Sequence, residues 1–174
     1  MKTKKSYKIK PIQIPKMDSI MEQIQETRLK KTDMVKLNAK ALFDTLSRTK
    51  VSSIEVSFNG CGDSGQVEAV DYSDANNKGI DGAYVDKKIV KGSLEDRGCH
   101  WDSKKGEMVE RSIGEGNVRA IVEQICYDKL SASHGGWEIN EGSYGTFFFD
   151  IAGRKVTLEY NERIEDVRTS EESF

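Results

Sequence analysis

The residues best suited to chemistry in this sequence are carboxylates next to a glycine-rich turn. Asp63 and Glu68 would face each other across that turn, and Glu159 falls on a neighbouring strand of the predicted sheet. Such carboxylates can hold Mg²⁺ or Mn²⁺ and activate water for phosphodiester hydrolysis. Their spacing matches no known metal-binding loop, and acids are common throughout the chain. A metal-dependent phosphodiesterase or nuclease that uses Mg²⁺ or Mn²⁺ is therefore an alternative hypothesis. The hypothesis that we favour, a non-enzymatic binding protein, has no metal site.

The turn itself is a second candidate site. Three glycines fall within residues 59–65, together with Asn, Asp and Ser. The backbone N–H groups of such a turn can cradle an anion, and the candidates here are Gly60, Gly62, Ser64 and Gly65. The segment matches no phosphate-binding loop, joins two strands and contains an acid. A hairpin turn that needs positive φ explains it better, so an anion-binding or nucleotide-binding module is another alternative.

Aromatic side chains among glycines form the third candidate. Trp137 and Tyr144 could stack on a base or anchor a protein partner, although Trp137 could equally close the edge of the core. Polar residues accompany them before and after the second predicted hairpin. The predicted binding set is Trp137, Glu138, Asn140, Tyr144, Asn161 and Arg163.

The charge distribution points to a basic partner surface. The first 16 residues contain six lysines and no acid, so with a net charge of −2 the remaining chain carries −8. The basic arm could bind nucleic acid through its lysines, Lys2, Lys4, Lys5, Lys8 and Lys10 among them. An acidic body opposes a large nucleic-acid interface, so we expect a protein partner with a basic surface.

Cysteine usage and hydropathy indicate a cytoplasmic protein. The three cysteines are odd in number and widely spaced, with no CxxC pair, which argues against a disulfide framework. No stretch approaches the roughly 20 apolar residues that cross a bilayer. The basic N-terminus is not followed by the apolar segment of a secretory signal. We therefore expect no membrane association.

Periodicity predicts an α+β fold. Helical spacing covers residues 17–31 and 34–49, as two helices or as one long helix with a break. Alternating residues predict a β-hairpin at 53–72, and a second one follows a helix that Asn117 could cap. Residues 73–116 read as a variable insert, with a short strand at 83–90. The predicted order is α-β-β-insert-α-β-β. It gives an antiparallel sheet of about four strands with two to three helices on one face, in a single domain of residues 17–174 after an extended arm at 1–16.

Several segments resemble an uncharacterised family of small proteins from bacteria, plasmids and phages. The segments that carry the resemblance are 58–66, 136–138, 140–145 and 160–163, with 41–44 in support. Ile139 and Glu141 depart from the family pattern. The resemblance implies a setting in a phage or mobile element and implies no activity.

These observations favour a non-enzymatic accessory protein that acts through protein–protein contact, without a cofactor. Counter-defence or modulation of the host is the role we expect for such a protein. The sequence leaves the partner, the oligomeric state, the structure of residues 73–116 and the role of the arm open.

Overall fold

The structure is a computed structural model that describes residues 17–92, 94–102 and 106–174, with the backbone alone at Asp18, 94–102 and 107–113. The predicted basic arm, residues 1–16, lies outside the described residues. The helices are α1 (Met17–Leu46), α2 (Gly82–Val85) and α3 (Val118–Ser133). The strands are β1 (Ser53–Ser73), β2 (Gly79–Ile80), β3 (Ile89–Val90), β4 (Leu94–Asp102), β5 (Glu107–Ile113), β6 (Gly116–Asn117), β7 (Ile139–Asp150) and β8 (Lys155–Glu162).

The first predicted helical region is one continuous helix. α1 runs without a break through Thr32 and Asp33, between the two predicted stretches, although both residue types are common helix caps. The Thr32 hydroxyl donates to the carbonyl of Arg28 one turn earlier, at 2.9 Å. Because that hydroxyl is satisfied inside the helix, it does not act as a cap. The predicted cap of α3 is confirmed, since Asn117 Oδ1 accepts from the N–H of Ala120 at 2.8 Å.

Strand β1 doubles back on itself and forms the first predicted hairpin. An extended chain of its length would span about 70 Å, yet Ser52 N–H donates to Ser73 O at 2.8 Å. The midpoint of this pairing falls between Gly62 and Asp63, and Gly62 has φ +77°. Residues 53–63 pair with β7, and Tyr72 and Ser73 pair with β2. The turn is therefore the apex of a hairpin inside the sheet.

The main sheet is antiparallel, in the order β2-β1-β7-β8, with β1 counted once although it supplies both arms of its hairpin, and this arrangement confirms the predicted fold class. The second hairpin is also confirmed, since β7 and β8 pair from Ser143↔Glu162 to Asp150↔Lys155. One face of the sheet is apolar and buried beneath α1 and α3. Its core residues include Ile54, Val56, Phe58, Phe147 and Phe149.

The insert is more regular than its composition suggests. The predicted strand at residues 83–90 is wrong over most of its length, because the end of helix α2 and a turn occupy residues 83–88, and β3 covers only Ile89–Val90. Asp81 caps α2 by accepting from the N–H of Ala83 at 3.0 Å. The Tyr72 hydroxyl ties α2 to β1 by donating to Asp86 at 2.7 Å. Burial and this carboxylate raise the pKa of Tyr72 far above its usual range. Beyond α2, strands β4 and β5 pair as a further antiparallel hairpin.

The two cysteines whose side chains are described, Cys61 and Cys126, are free thiols. Cys126 is buried in α3, and burial raises the pKa of its thiol. Within the described residues, no helix has the length and apolarity needed to cross a membrane.

Candidate binding face

The indole of Trp137 fills the inner side of the β1 apex. Trp137 is only 7% exposed, and its ring meets Phe58 edge-on with centroids 5.6 Å apart. A β-carbon at Gly60 would lie 2.9 Å from the indole, and one at Gly65 would overlap it. This burial favours the second of the two interpretations of Trp137, in which the ring closes the edge of the core. Glycine is needed at positions 60 and 65 because a larger residue would collide with the buried indole.

This packing also bears on the predicted anion site. Ser64 and Gly65 lie beside the indole edge, and Asp63 faces the same cleft. The carbonyl of Gly60 is an acceptor for Arg163 at 2.9 Å. The glycines at the apex thus have steric and conformational roles, with Gly62 supplying the positive φ of the turn.

Backbones approach closely where β7 passes the apex. Gly142 has φ +68°, and a β-carbon there would overlap the carbonyl oxygen of Gly60. The backbone N–H of Arg163 donates to Gly142 O at 3.0 Å. Glycine at position 142 therefore lets three segments distant in sequence meet at one point.

The guanidinium of Arg163 ties these segments together. Nη1 donates to Gly60 O at 2.9 Å, and Nη2 donates to Asn59 Oδ1 at 2.8 Å. The central guanidinium carbon, Cζ, lies 4.7 Å from the centre of the Tyr144 ring. Asn59 in turn donates from Nδ2 to Glu68 at 3.2 Å. A planar guanidinium can make the two hydrogen bonds and the ring contact together, which fixes the position of Tyr144.

We expect Arg163→Ala to lower the free energy of unfolding by about 1–3 kcal/mol, because it removes charge-assisted hydrogen bonds and the ring contact. Arg163→Lys should recover little of the loss, since an ammonium lacks the planar fork. Urea titrations of the three proteins measure this. Full recovery by lysine would show that charge alone is sufficient.

The outer face of the sheet is open to solvent and carries two aromatic side chains. Tyr144 and Phe148 are each 46% exposed on β7, which lies between β1 and β8. They are four residues apart on one strand, so their side chains project from the same face of the sheet, about 13 Å from one another. Carboxylates stand beside them, since Glu55 is paired with Phe148 and Glu159 with Thr146. We call this surface the open face, defined by Glu55, Asn59, Glu68, Tyr144, Phe148, Glu159 and Asn161.

The remaining members of the predicted binding set divide between two surfaces. Asn161 pairs with Tyr144 on the open face and donates to Glu159 at 3.3 Å. Asn140 is exposed beside the apex, with φ +59°. Glu138 is half-buried and lines a cleft on the inner side. The second aromatic of the open face, Phe148, was missed because it alternates with Phe147 and Phe149 and reads as part of a core strand.

The carboxylates of the hydrolase hypothesis do not form one group. Asp63 lines the inner cleft, whereas Glu68 lies with Asn59 and Gln66 on the other side of the hairpin. Glu159 is engaged with Asn161 on β8. Among the residues that the structure describes, no set of three or more His, Cys, Asp or Glu side chains is arranged to hold a metal. The predicted convergence of Asp63, Glu68 and Glu159 is absent.

The inner cleft has a volume of about 400 Å³ and lies between the apex, α1 and α3. Its walls come from segments far apart in the chain, so no local sequence pattern predicts it. Asp128 is buried in α3, and Lys31 and Gln124 extend the lining. The helical periodicity of α3 marks its apolar positions but gives no signal that a buried acid falls among them.

The geometry defines an α+β protein in which glycines, a buried tryptophan and an arginine tie distant segments around a hairpin apex. The family model of a family of unknown function, DUF6878, matches residues 34–174. The chain belongs to this family, which confirms the resemblance to an uncharacterised family. No curated protein and no solved structure matches the chain.

Proposed function

We propose that this protein is a binding module that contacts a partner protein through the open face. The observation that carries the proposal is the pair of exposed aromatics, Tyr144 and Phe148, on a strand that lies inside the sheet. Large aromatic side chains are enriched at the energetic centres of protein interfaces. Here both project from β7, which is paired with a strand on each side.

The charge around the aromatics indicates the chemistry of the partner. Glu55, Glu68 and Glu159 are exposed on the open face, and the exposed Lys155 lies on the same side at the start of β8, so the acids outnumber it. Arg163 is half-buried and spends its hydrogen bonds within the protein. A partner surface rich in lysine or arginine would complement this arrangement and be drawn to it electrostatically.

The contact of Tyr144 with Arg163 favours binding in a second way. Because the guanidinium already holds one face of the phenol ring, binding would cost less side-chain entropy than for a freely rotating tyrosine. This mode of action needs no cofactor and no catalytic group.

The biological setting that we propose rests on the family resemblance. An accessory protein of a phage or mobile element, acting in the cytoplasm, would use the open face to engage a host or defence protein. The hydrolase and anion-binding alternatives have less support, because their residues are dispersed or occupied by packing.

The proposal is tested by selecting peptides from a displayed random library against the folded protein. We expect the selected peptides to be rich in lysine and arginine. Tyr144→Ser combined with Phe148→Ser should weaken their binding by about 100-fold, the loss expected for two interface anchors. The matched control is Tyr84→Ser, which removes an aromatic that is 60% exposed on α2.

Equal binding to the double variant would place the site elsewhere and refute the proposal. So would selection of acidic peptides, or an equal loss in the Tyr84→Ser control. Thermal melts of each variant establish that the fold is intact.

A further inference from the structure

The first turns of α1 present an apolar stripe that is largely uncovered by the other residues that the structure describes. Met17, Met21 and Ile24 are 73%, 59% and 42% exposed. They recur at intervals of four and three residues, so they share one side of the helix. The same side carries the core residues of α1 further along, such as Leu42 and Leu46. The core-facing side of α1 therefore extends past the body of the protein.

Basic side chains continue the stripe. Arg28 and Lys31 follow Ile24 at the same helical spacing, and they line a hollow of about 340 Å³ with Ile20, Ile24 and Ser131. Glu22 and Glu26 lie on the opposite side of the helix by the same geometry. We call this surface the α1 stripe, defined by Met17, Ile20, Met21, Ile24, Arg28 and Lys31. It suits a segment that is both apolar and acidic.

The last residues of the chain have that composition. Residues 164–174, here called the tail, form no helix or strand and are exposed throughout. Its apolar residues, Ile164, Val167 and Phe174, are among the most exposed in the protein. The tail contains four acidic residues and one basic residue. The acids are Glu165, Asp166, Glu171 and Glu172, and the base is Arg168.

The α1 stripe and the start of the tail lie at the same end of the molecule. A β-carbon at Gly135 would lie 3.9 Å from the guanidinium of Arg28. The neighbouring His134 stacks on Tyr160 of β8, with ring centroids 3.8 Å apart, and β8 ends where the tail begins. Burial in this stack lowers the pKa of His134. In the described chain, the tail remains exposed and does not cover the stripe.

We propose that the α1 stripe binds the tail of a second copy of this chain, in a reciprocal two-fold dimer. Two-fold pairing at this end brings each tail towards the other copy's α1. A tail of this length reaches about 35 Å when extended, and the stripe from Met17 to Lys31 is about 21 Å long. Apolar contacts and opposite charges would then pair on both sides of the axis. The dimer contact that we propose uses neither Tyr144 nor Phe148.

Sedimentation velocity over roughly 1–500 µM tests the proposal on the full chain. We expect a concentration-dependent dimer that weakens as salt rises. A chain ending at Arg163 should be monomeric and should melt like the full chain, because the deleted residues are exposed.

Charge-reversal variants distinguish a tail that binds the α1 stripe of a second copy from a tail that binds the stripe of its own chain. One variant carries Arg28→Glu and Lys31→Glu, and the other carries Asp166→Lys, Glu171→Lys and Glu172→Lys. Each variant alone should bind itself at least about tenfold more weakly than the wild type. An equimolar mixture should form a heterodimer, because both of its stripe–tail pairs then join opposite charges.

A wild-type protein that stays monomeric over the whole range would overturn the proposal. A dimer that survives truncation, or a mixture that forms no heterodimer, would do so equally. The tail could also cover α1 of its own chain. In that case the protein would be a monomer, and truncation would speed up amide hydrogen exchange along α1. That result would also overturn the proposed dimer.

Discussion

Replacing Trp137 with alanine is expected to lower the free energy of unfolding by about 3–5 kcal/mol, the usual cost of deleting a buried large aromatic. The indole is 7% exposed and contacts Phe58 and Tyr127, with ring centroids 5.6 and 6.4 Å away. Its removal would leave a cavity under the hairpin apex. Urea unfolding followed by circular dichroism gives the value. A loss below about 1 kcal/mol, within the range of surface substitutions, would mean that the indole is not part of the core.

A double-mutant cycle isolates the packing of the ring against the glycines. Gly65→Ala should be strongly destabilising in the wild type, because its new methyl group overlaps the indole. In a Trp137→Phe background the same substitution should cost less, since the outer ring of the indole is gone. Equal costs in both backgrounds would reject the steric explanation of Gly65 and would reopen the question of an anion site.

Gly142→Ala is the second substitution with a large expected effect. Glycine here has φ +68°, and an alanine methyl would overlap the carbonyl oxygen of Gly60. Backbone strain and steric overlap together should lower the free energy of unfolding by about 3 kcal/mol or more. Thermal and urea unfolding both measure this loss.

Gly62→Ala is the matched control for Gly142. Gly62 has a similar φ of +77°, but apart from its chain neighbours no heavy atom of the described residues lies within 4 Å of the position of its β-carbon. We therefore expect only the conformational cost, about 1–2 kcal/mol. If the two substitutions lower the free energy of unfolding equally, steric overlap with Gly60 is not the reason that position 142 needs glycine.

The sequence predicted those parts of the fold that depend on local patterns. Alternation in residues 53–72 and 147–160 gave both hairpins, and Asn117 gave the start of α3. The β4–β5 hairpin was missed because charged residues and glycine interrupt its strands, as in Leu94–Asp102. The hydrogen bond of Thr32 within α1 shows why a residue with capping chemistry did not start a helix.

The candidate site was harder to predict, because it depends on contacts between distant segments. Arg163 lies 104 positions from Asn59, whose side chain it contacts. Nothing in the spacing of the two predicts that hydrogen bond. Trp137 stands among glycines and resembles an exposed loop residue, and its burial follows only from the space that Gly60 and Gly65 leave. The sequence thus marks Trp137 and Tyr144 as notable rings but leaves open which of them is buried, and the structure buries Trp137 and leaves Tyr144 exposed.

The most direct test of the open face as a binding surface is a nuclear magnetic resonance titration. Protein labelled with ¹⁵N is titrated with the tightest basic peptide from the display selection. We predict amide shifts concentrated in β1, β7 and β8 around Tyr144 and Phe148, and a weaker interaction at high salt. Shifts that cluster instead around the inner cleft, at Lys31 and Gln124, would contradict the account.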